Sequence, residues 1–173
     1  MNRIFANDLY IGRPTTGPIT ISAPIAPANI SATCRITLQS SSDLTISGGG
    51  ITTLGGNVRF RAENIYPTFS GIDVSVGTTG VLSNGTNSTY VFDINGPAAN
   101  TGYTQLQVAG KLSLLQTRIT LTGNYSPFLG KTFMIINNTG SEPIGDGFID
   151  YAEGQFFNNF LGSGLSAKIT YVG

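Results

Sequence analysis

The feature that most constrains this chain is a series of short segments in which apolar and polar residues alternate. Within residues 101–140, Leu106 and Val108 alternate with glutamines, and Ile119 and Leu121 alternate with polar residues. Glycine, asparagine and proline close these segments, which is the chemistry of turns. Alternation with a period of two residues is typical of strands that bury one face. No long window has the period of a helix, so the sequence predicts an all-β fold.

The same pattern predicts about twelve closely spaced strands along the chain. Residues 57–62 and 89–94 are clear examples, in which β-branched or aromatic residues alternate with polar ones. Residues 131–136 form the most apolar segment and are also expected to be a strand. Residues 63–70 contain a proline and no alternation, so we expect a loop there.

Two all-β architectures are compatible with so many short strands. In a right-handed parallel β-helix, or β-solenoid, like strands of successive coils lie side by side, and glycine or small polar residues fill the corners. In a jelly-roll β-sandwich, tight Asn-Gly hairpins join matched antiparallel strands. Asn84-Gly85 is a hairpin candidate, but Val81-Leu82 is too short to match the strand at residues 89–94. The spacing favours the β-solenoid, with the jelly roll as the alternative.

Length and charge indicate one weakly charged domain. The 173 residues suit a single domain, residues 1–173, with a sizeable core. Charged residues are 10% of the chain, against about 25% in typical proteins. Nine basic residues balance nine acidic ones, and a net charge near zero is compatible with self-association. The nearest approach to a basic patch is Arg59 with Arg61, and Glu63 comes two residues after Arg61, so we expect no nucleic-acid partner.

The chain shows no sequence signal for a membrane or for a disulfide. No stretch approaches 18 consecutive apolar residues, so we expect no membrane span. The first twelve residues lack the apolar region of a signal peptide. For an exported protein, the export signal or export partner would lie outside this chain. We then expect the chain to be either a fragment of a longer surface protein or a small stand-alone relative whose stalk is built by assembly. The single cysteine, Cys34, lies in an alternating segment and is expected to be a small buried hydrophobe.

Residue types exclude several kinds of catalytic site. The chain contains no histidine and one cysteine, which excludes Ser-His-acid and Cys-His catalysis and histidine-based zinc sites. Acidic residues are sparse outside residues 142–153, which disfavours a polysaccharide-processing β-helix enzyme. We therefore expect no enzymatic activity, no catalytic residues and no cofactor.

A weak calcium candidate lies near the carboxyl terminus. Residues 146–153 match the second half of a calcium-binding EF-hand loop, with acids at Asp146, Asp150 and Glu153. Ile144 falls at a position where that loop needs a ligand. The segments on either side of the loop are predicted to be strand and loop rather than the helices of an EF-hand. A solvated acidic loop is therefore the favoured interpretation of these three carboxylates.

Aromatic residues in or near predicted loops are candidates for binding or assembly. These candidates are Tyr125, Phe128, Phe156, Phe157 and Phe160, with Tyr66 and Phe69 as further loop aromatics. Such side chains more often cover the ends of a core. The run FFNNFL at residues 156–161 is the strongest candidate for a self-association or docking patch.

Residues 101–172 resemble a known family of very large bacterial surface proteins. The segment TGYTQLQVAGKLSL is similar to the recurrent segment YDQL-V-G-V-L-G-L-L, and KTFMIINNTG is similar to G-x-F-x-I-I-N-N-x-G. Both recur in autotransporter-like and filamentous-haemagglutinin-like adhesins, whose passengers are β-helical. The first half of the chain resembles their glycine-punctuated repeats more loosely. The resemblance implies a right-handed parallel β-helix at the cell surface and carries over no functional residues.

These observations predict a non-enzymatic structural or adhesive protein that is extracellular or at a bacterial cell surface. Open solenoid ends expose unpaired backbone groups, and no amphipathic helix is available to cap either terminus. We therefore expect head-to-tail self-association into a fibre or surface stalk. The alternative is an adhesin module that binds a host or matrix glycan or protein. A viral capsid or tail component is less favoured.

Overall fold

The computed structural model describes residues 7–27, 34–48, 50–67, 73–76 and 80–172. Its strands, in chain order, are β1 (Asp8–Gly12), β2 (Ile19–Ile21), β3 (Arg35–Gln39), β4 (Asp43–Ile46), β5 (Ile51–Thr52), β6 (Asn57–Arg61), β7 (Asn64–Tyr66), β8 (Val74–Ser75), β9 (Val81–Asn84), β10 (Thr89–Asp93), β11 (Leu106–Ala109), β12 (Lys111–Leu112), β13 (Arg118–Thr122), β14 (Ile136–Asn138), β15 (Phe156–Phe157) and β16 (Ala167–Lys168). A single 3-10 turn, Phe160–Gly162, is the helical element of the described residues. The protein is all-β, as predicted.

Three parallel sheets form the sides of a β-solenoid of about four turns. Sheet A has the order β1-β3-β6-β9-β12, sheet B the order β2-β4-β7-β10-β13, and sheet C the order β5-β8-β11-β14. The first coil contributes β1, β2 and an isolated bridge from Ile25 to Ile51. Each coil after the first contributes one strand to each side, and like strands pair in parallel. This pairing confirms the solenoid over the sandwich, while the right hand of the coil stays a prediction. Strands β15 and β16 form a separate antiparallel pair.

The core consists of inward-facing side chains that stack in rows from coil to coil. One row of sheet A consists of Leu9, Ile36, Val58, Leu82 and Leu112. The matching row of sheet B consists of Ile19, Leu44, Ile65, Tyr90 and Ile119. Alternation puts every second residue inside, and burial of its apolar area is the main stabilising contribution to the fold.

Two local predictions were wrong. Residues 63–70 were expected to be a loop, yet Asn64–Tyr66 forms β7 because it pairs with strands on both sides. Residues 131–136 were expected to be a strand, yet the strand there is Ile136–Asn138. In the apolar segment before it, Phe133 packs against other aromatic rings and Met134 is 59% exposed.

A column of glycines forms the corner between sheets C and A. A Cβ atom added to Gly80 would lie 2.5 Å from the carbonyl oxygen of Gly56 in the preceding coil. A Cβ atom added to Gly140 would lie 2.5 Å from the carbonyl oxygen of Gly110. Backbones of successive coils therefore approach each other here more closely than a side chain allows.

Candidate functional site

Residues 141–172, which we call the C-terminal cap, fold across the last coil and cover its interior. Phe148 and Ile169 are 3% and 8% exposed and belong to the same apolar core as the inward rows. The N–H of Phe148 donates a hydrogen bond to the Tyr171 hydroxyl at 2.9 Å, and that hydroxyl donates to the carbonyl of Tyr151 at 2.7 Å. Burial raises the pKa of Tyr171. A segment whose only helical element among the described residues is the 3-10 turn Phe160–Gly162 thus closes this end of the solenoid.

The run FFNNFL contributes mainly to the cap. Phe157 stacks on Tyr151, with ring centroids 3.8 Å apart. Phe160 is 7% exposed and packs in a second cluster with Ile94. Phe156, which precedes Phe157 in β15, is 56% exposed. Of the three phenylalanines in this run, Phe156 is therefore the one that remains at the surface.

A second group of rings surrounds Phe133. Its ring centroid lies 5.4 Å from that of Tyr103, 6.0 Å from that of Tyr125 and 5.8 Å from that of Phe160. Phe128 is 65% exposed and lines a cleft of about 60 Å³ beside this cluster. The structure therefore brings together four of the five aromatic candidates, since Phe157 also packs against this cluster; three of the four cover the core and Phe128 lies at the surface. Of the further loop aromatics, Phe69 lies outside the described residues.

The carboxylates of the calcium candidate do not converge. Their partners are Ser113 Oγ for Asp146 (3.0 Å), Arg118 Nη1 for Asp150 (2.6 Å) and the Tyr171 N–H for Glu153 (2.6 Å). The hydrogen bond from the Tyr171 N–H lowers the pKa of Glu153. Within the described ranges, no group of three or more metal-binding side chains could hold an ion.

A groove of about 640 Å³ runs along the outer face of sheet B and is lined by Asp43, Tyr66 and Asp93, among others. Asp43 aligns with Thr89 two strands away, so Asp93 lies about 10 Å across the sheet and about 13 Å along it from Asp43. The two carboxylates of a glycosidase lie about 5–9.5 Å apart. The separation in this groove is too large for that chemistry.

Sequence reasoning missed a cluster of three arginines on the outer face of sheet A. Arg59 and Arg61 point outward because Val58 and Phe60 between them are buried. Arg35 lies on the neighbouring strand, where it aligns with Asn57. We call Arg35, Arg59 and Arg61 the arginine face. Its sequence signal is the 22-residue offset between RITLQ and NVRFR, which becomes visible once the two segments are aligned as successive coils.

Comparison with protein-family models, curated proteins and solved structures finds no match to this chain. The resemblance to bacterial adhesins therefore depends on the motifs in residues 101–172 alone. Among the described residues, no helix is long and apolar enough to cross a membrane.

Proposed function

We propose that this protein is a non-enzymatic structural module of a bacterial cell surface, and that it associates with a second copy through its first coil. The observation that carries this proposal is the difference between the two ends of the solenoid. The inward rows run through every coil, so most of the chain is used for stacking. The adhesin-like motifs of residues 101–172 support the surface location.

Inward side chains of the first coil are incompletely covered. Leu9, Ile11, Ile19 and Ile25 are half-buried. Their partners one coil further on, Ile36, Leu38, Leu44 and Ile51, are at most 1% exposed. Covering the first coil with another apolar surface would remove the remaining area from water, which is the main driving force for association.

The outer edge of the first coil also presents backbone groups. The Ser47 N–H donates to the Ile21 carbonyl, so the backbone N–H and carbonyl of Ile21 point towards β4. Because backbone groups of successive strand residues point to opposite edges, the Thr20 N–H and carbonyl point away from the solenoid. No strand among the described residues pairs with this edge of β1 or β2. An edge of this kind is a template for pairing with another chain.

The C-terminal cap changes the geometry of assembly that the sequence predicts. A head-to-tail fibre needs two open ends, and the cap covers the interior of the last coil. Association through the first coils of two copies uses the same surface twice, which gives a closed two-fold dimer.

Substitution of Thr20 tests this dimer. Thr20→Pro removes the outward N–H and leaves the pairing between β2 and β4 intact, since Pro is tolerated at a strand edge. Thr20→Val keeps the N–H and is the matched control. By sedimentation velocity, we expect the wild type and Thr20→Val to be dimers and Thr20→Pro to be a monomer. A wild type that stays monomeric at high concentration contradicts the proposal.

A further inference from the structure

The arginine face concentrates positive charge on a flat strand surface. Arg59 and Arg61 are two residues apart on β6, which places their Cα atoms about 7 Å apart along the strand. Arg35 is on the adjacent strand, about 4.8 Å across the sheet, and aligns with Asn57, so its Cα atom is offset from that of Arg59 by about 7 Å along the strand. Parallel stacking therefore gathers three of the nine basic residues of the chain into one small area.

These arginines have no acidic partner within the described part of the chain. The ion pairs found there are Lys111 with Glu142 and Arg118 with Asp150. Asp8 aligns with Arg35 on β1, and Glu63 follows Arg61 in sequence, but neither carboxylate lies within ion-pair distance.

Arg59 has the least favourable surroundings of the three. Its Nε atom is buried and has no hydrogen-bond partner, and a buried donor without an acceptor is unfavourable. Burial, followed by the charges of Arg61 and Arg35, lowers the pKa of Arg59. A bound anion would supply the acceptor and offset the repulsion between the guanidinium groups.

The neighbours of Arg59 fit a sugar. Tyr10, Thr37, Arg59 and Ser83 occupy one outward row. Tyr10 is 57% exposed and Thr37 only 2%, because Tyr10 and Arg59 flank it. The exposed Tyr10 ring and the guanidinium groups offer stacking and ion pairing, and the half-buried Ser83 hydroxyl offers a neutral hydrogen bond. Three cations are few for binding a nucleic acid, which depends on many phosphate contacts.

We propose that the arginine face binds the carboxylate or sulfate groups of an acidic polysaccharide. This goes beyond the structural role proposed above and does not depend on it. Binding occurs on the outer face of sheet A, whereas association with a second copy occurs at the outer edge of β1 and β2 and at the interior of the first coil.

Calorimetric titration with polygalacturonate, dextran sulfate and uncharged dextran tests the proposal. We expect at least one of the two charged polymers to bind. We expect no binding heat with uncharged dextran. Arg59→Gln/Arg61→Gln should weaken binding by about tenfold or more, since a hydrogen bond to a charged group contributes about 1.5–3 kcal/mol. Lys131→Gln removes a charge elsewhere and should leave the affinity within about twofold. Tighter binding of polygalacturonate indicates a preference for carboxylate groups, and tighter binding of dextran sulfate indicates a preference for sulfate groups.

Several outcomes would overturn the proposal. These are no binding of either charged polymer, equal losses for the arginine variant and Lys131→Gln, or tighter binding of single-stranded DNA than of the polysaccharides. If circular dichroism shows that the double variant does not fold, Arg35→Gln replaces it, because Arg35 is exposed. Thr20→Pro should bind like the wild type, so a failed dimer and a failed binding site give different results.

Discussion

Asn84 occupies an inward position where preceding coils place apolar side chains. The row that it continues consists of Ile11, Leu38 and Phe60. The Tyr90 hydroxyl donates a hydrogen bond to Asn84 Oδ1 at 3.1 Å, and Asn84 Nδ2 donates to Thr117 Oγ1 at 3.2 Å. Burial raises the pKa of Tyr90, and its hydrogen bond to Asn84 opposes this effect. Buried polar groups need partners, so these contacts fix how β9, β10 and the turn before β13 pack.

Removal of the Tyr90 hydroxyl should destabilise the protein. Tyr90→Phe leaves Asn84 Oδ1 buried without this donor, so we expect the free energy of unfolding to fall by about 1–3 kcal/mol. Tyr10→Phe is the matched control: Tyr10 is 57% exposed, and the expected change is below about 0.5 kcal/mol. Urea denaturation followed by circular dichroism measures both, and equal losses would contradict the role of the buried hydroxyl.

At the scale of the elements, the glycine corner sets how closely successive coils approach. Gly80→Ala should destabilise the protein by about 1–3 kcal/mol, because the added methyl group would collide with the carbonyl oxygens of Gly56 and Val76. Gly17→Ala is the matched control, since a Cβ atom there meets nothing within 4 Å. Thermal unfolding of the two variants measures the difference, and a Gly80→Ala protein as stable as the wild type would show that the corner can widen.

Strands could be predicted from sequence where one segment contains its own signal. Alternation in residues 57–61 and 89–93 indicates both the strand and its buried face, because side-chain direction has a period of two. Strand β7 has only three residues and is fixed by its two neighbours, which no local pattern reveals. The arginine face depends on the same coil-to-coil register. The cap was missed because a helix was the expected form of closure.

At the scale of the whole molecule, the two ends have different surfaces. The first coil has half-buried apolar side chains and an edge with which no strand of the described residues pairs, whereas the last coil is covered by Phe148 and Ile169. Natural proteins usually block an exposed strand edge, because it would otherwise pair with a strand of another chain. In the proposed assembly, the cap would therefore stop further stacking at the last coil and leave association to the first coil.

Removal of the cap should convert a closed dimer into an open assembly. A chain truncated after Gly140 lacks Phe148 and Ile169, so the interior of the last coil is exposed and both ends can stack. We expect electron micrographs of this variant to show filaments or larger aggregates where the full chain shows compact particles. Phe156→Ser within the full chain is the control, because it removes a 56% exposed apolar side chain from the cap without opening the core. A truncated chain that folds and remains a dimer would show that the cap does not limit assembly.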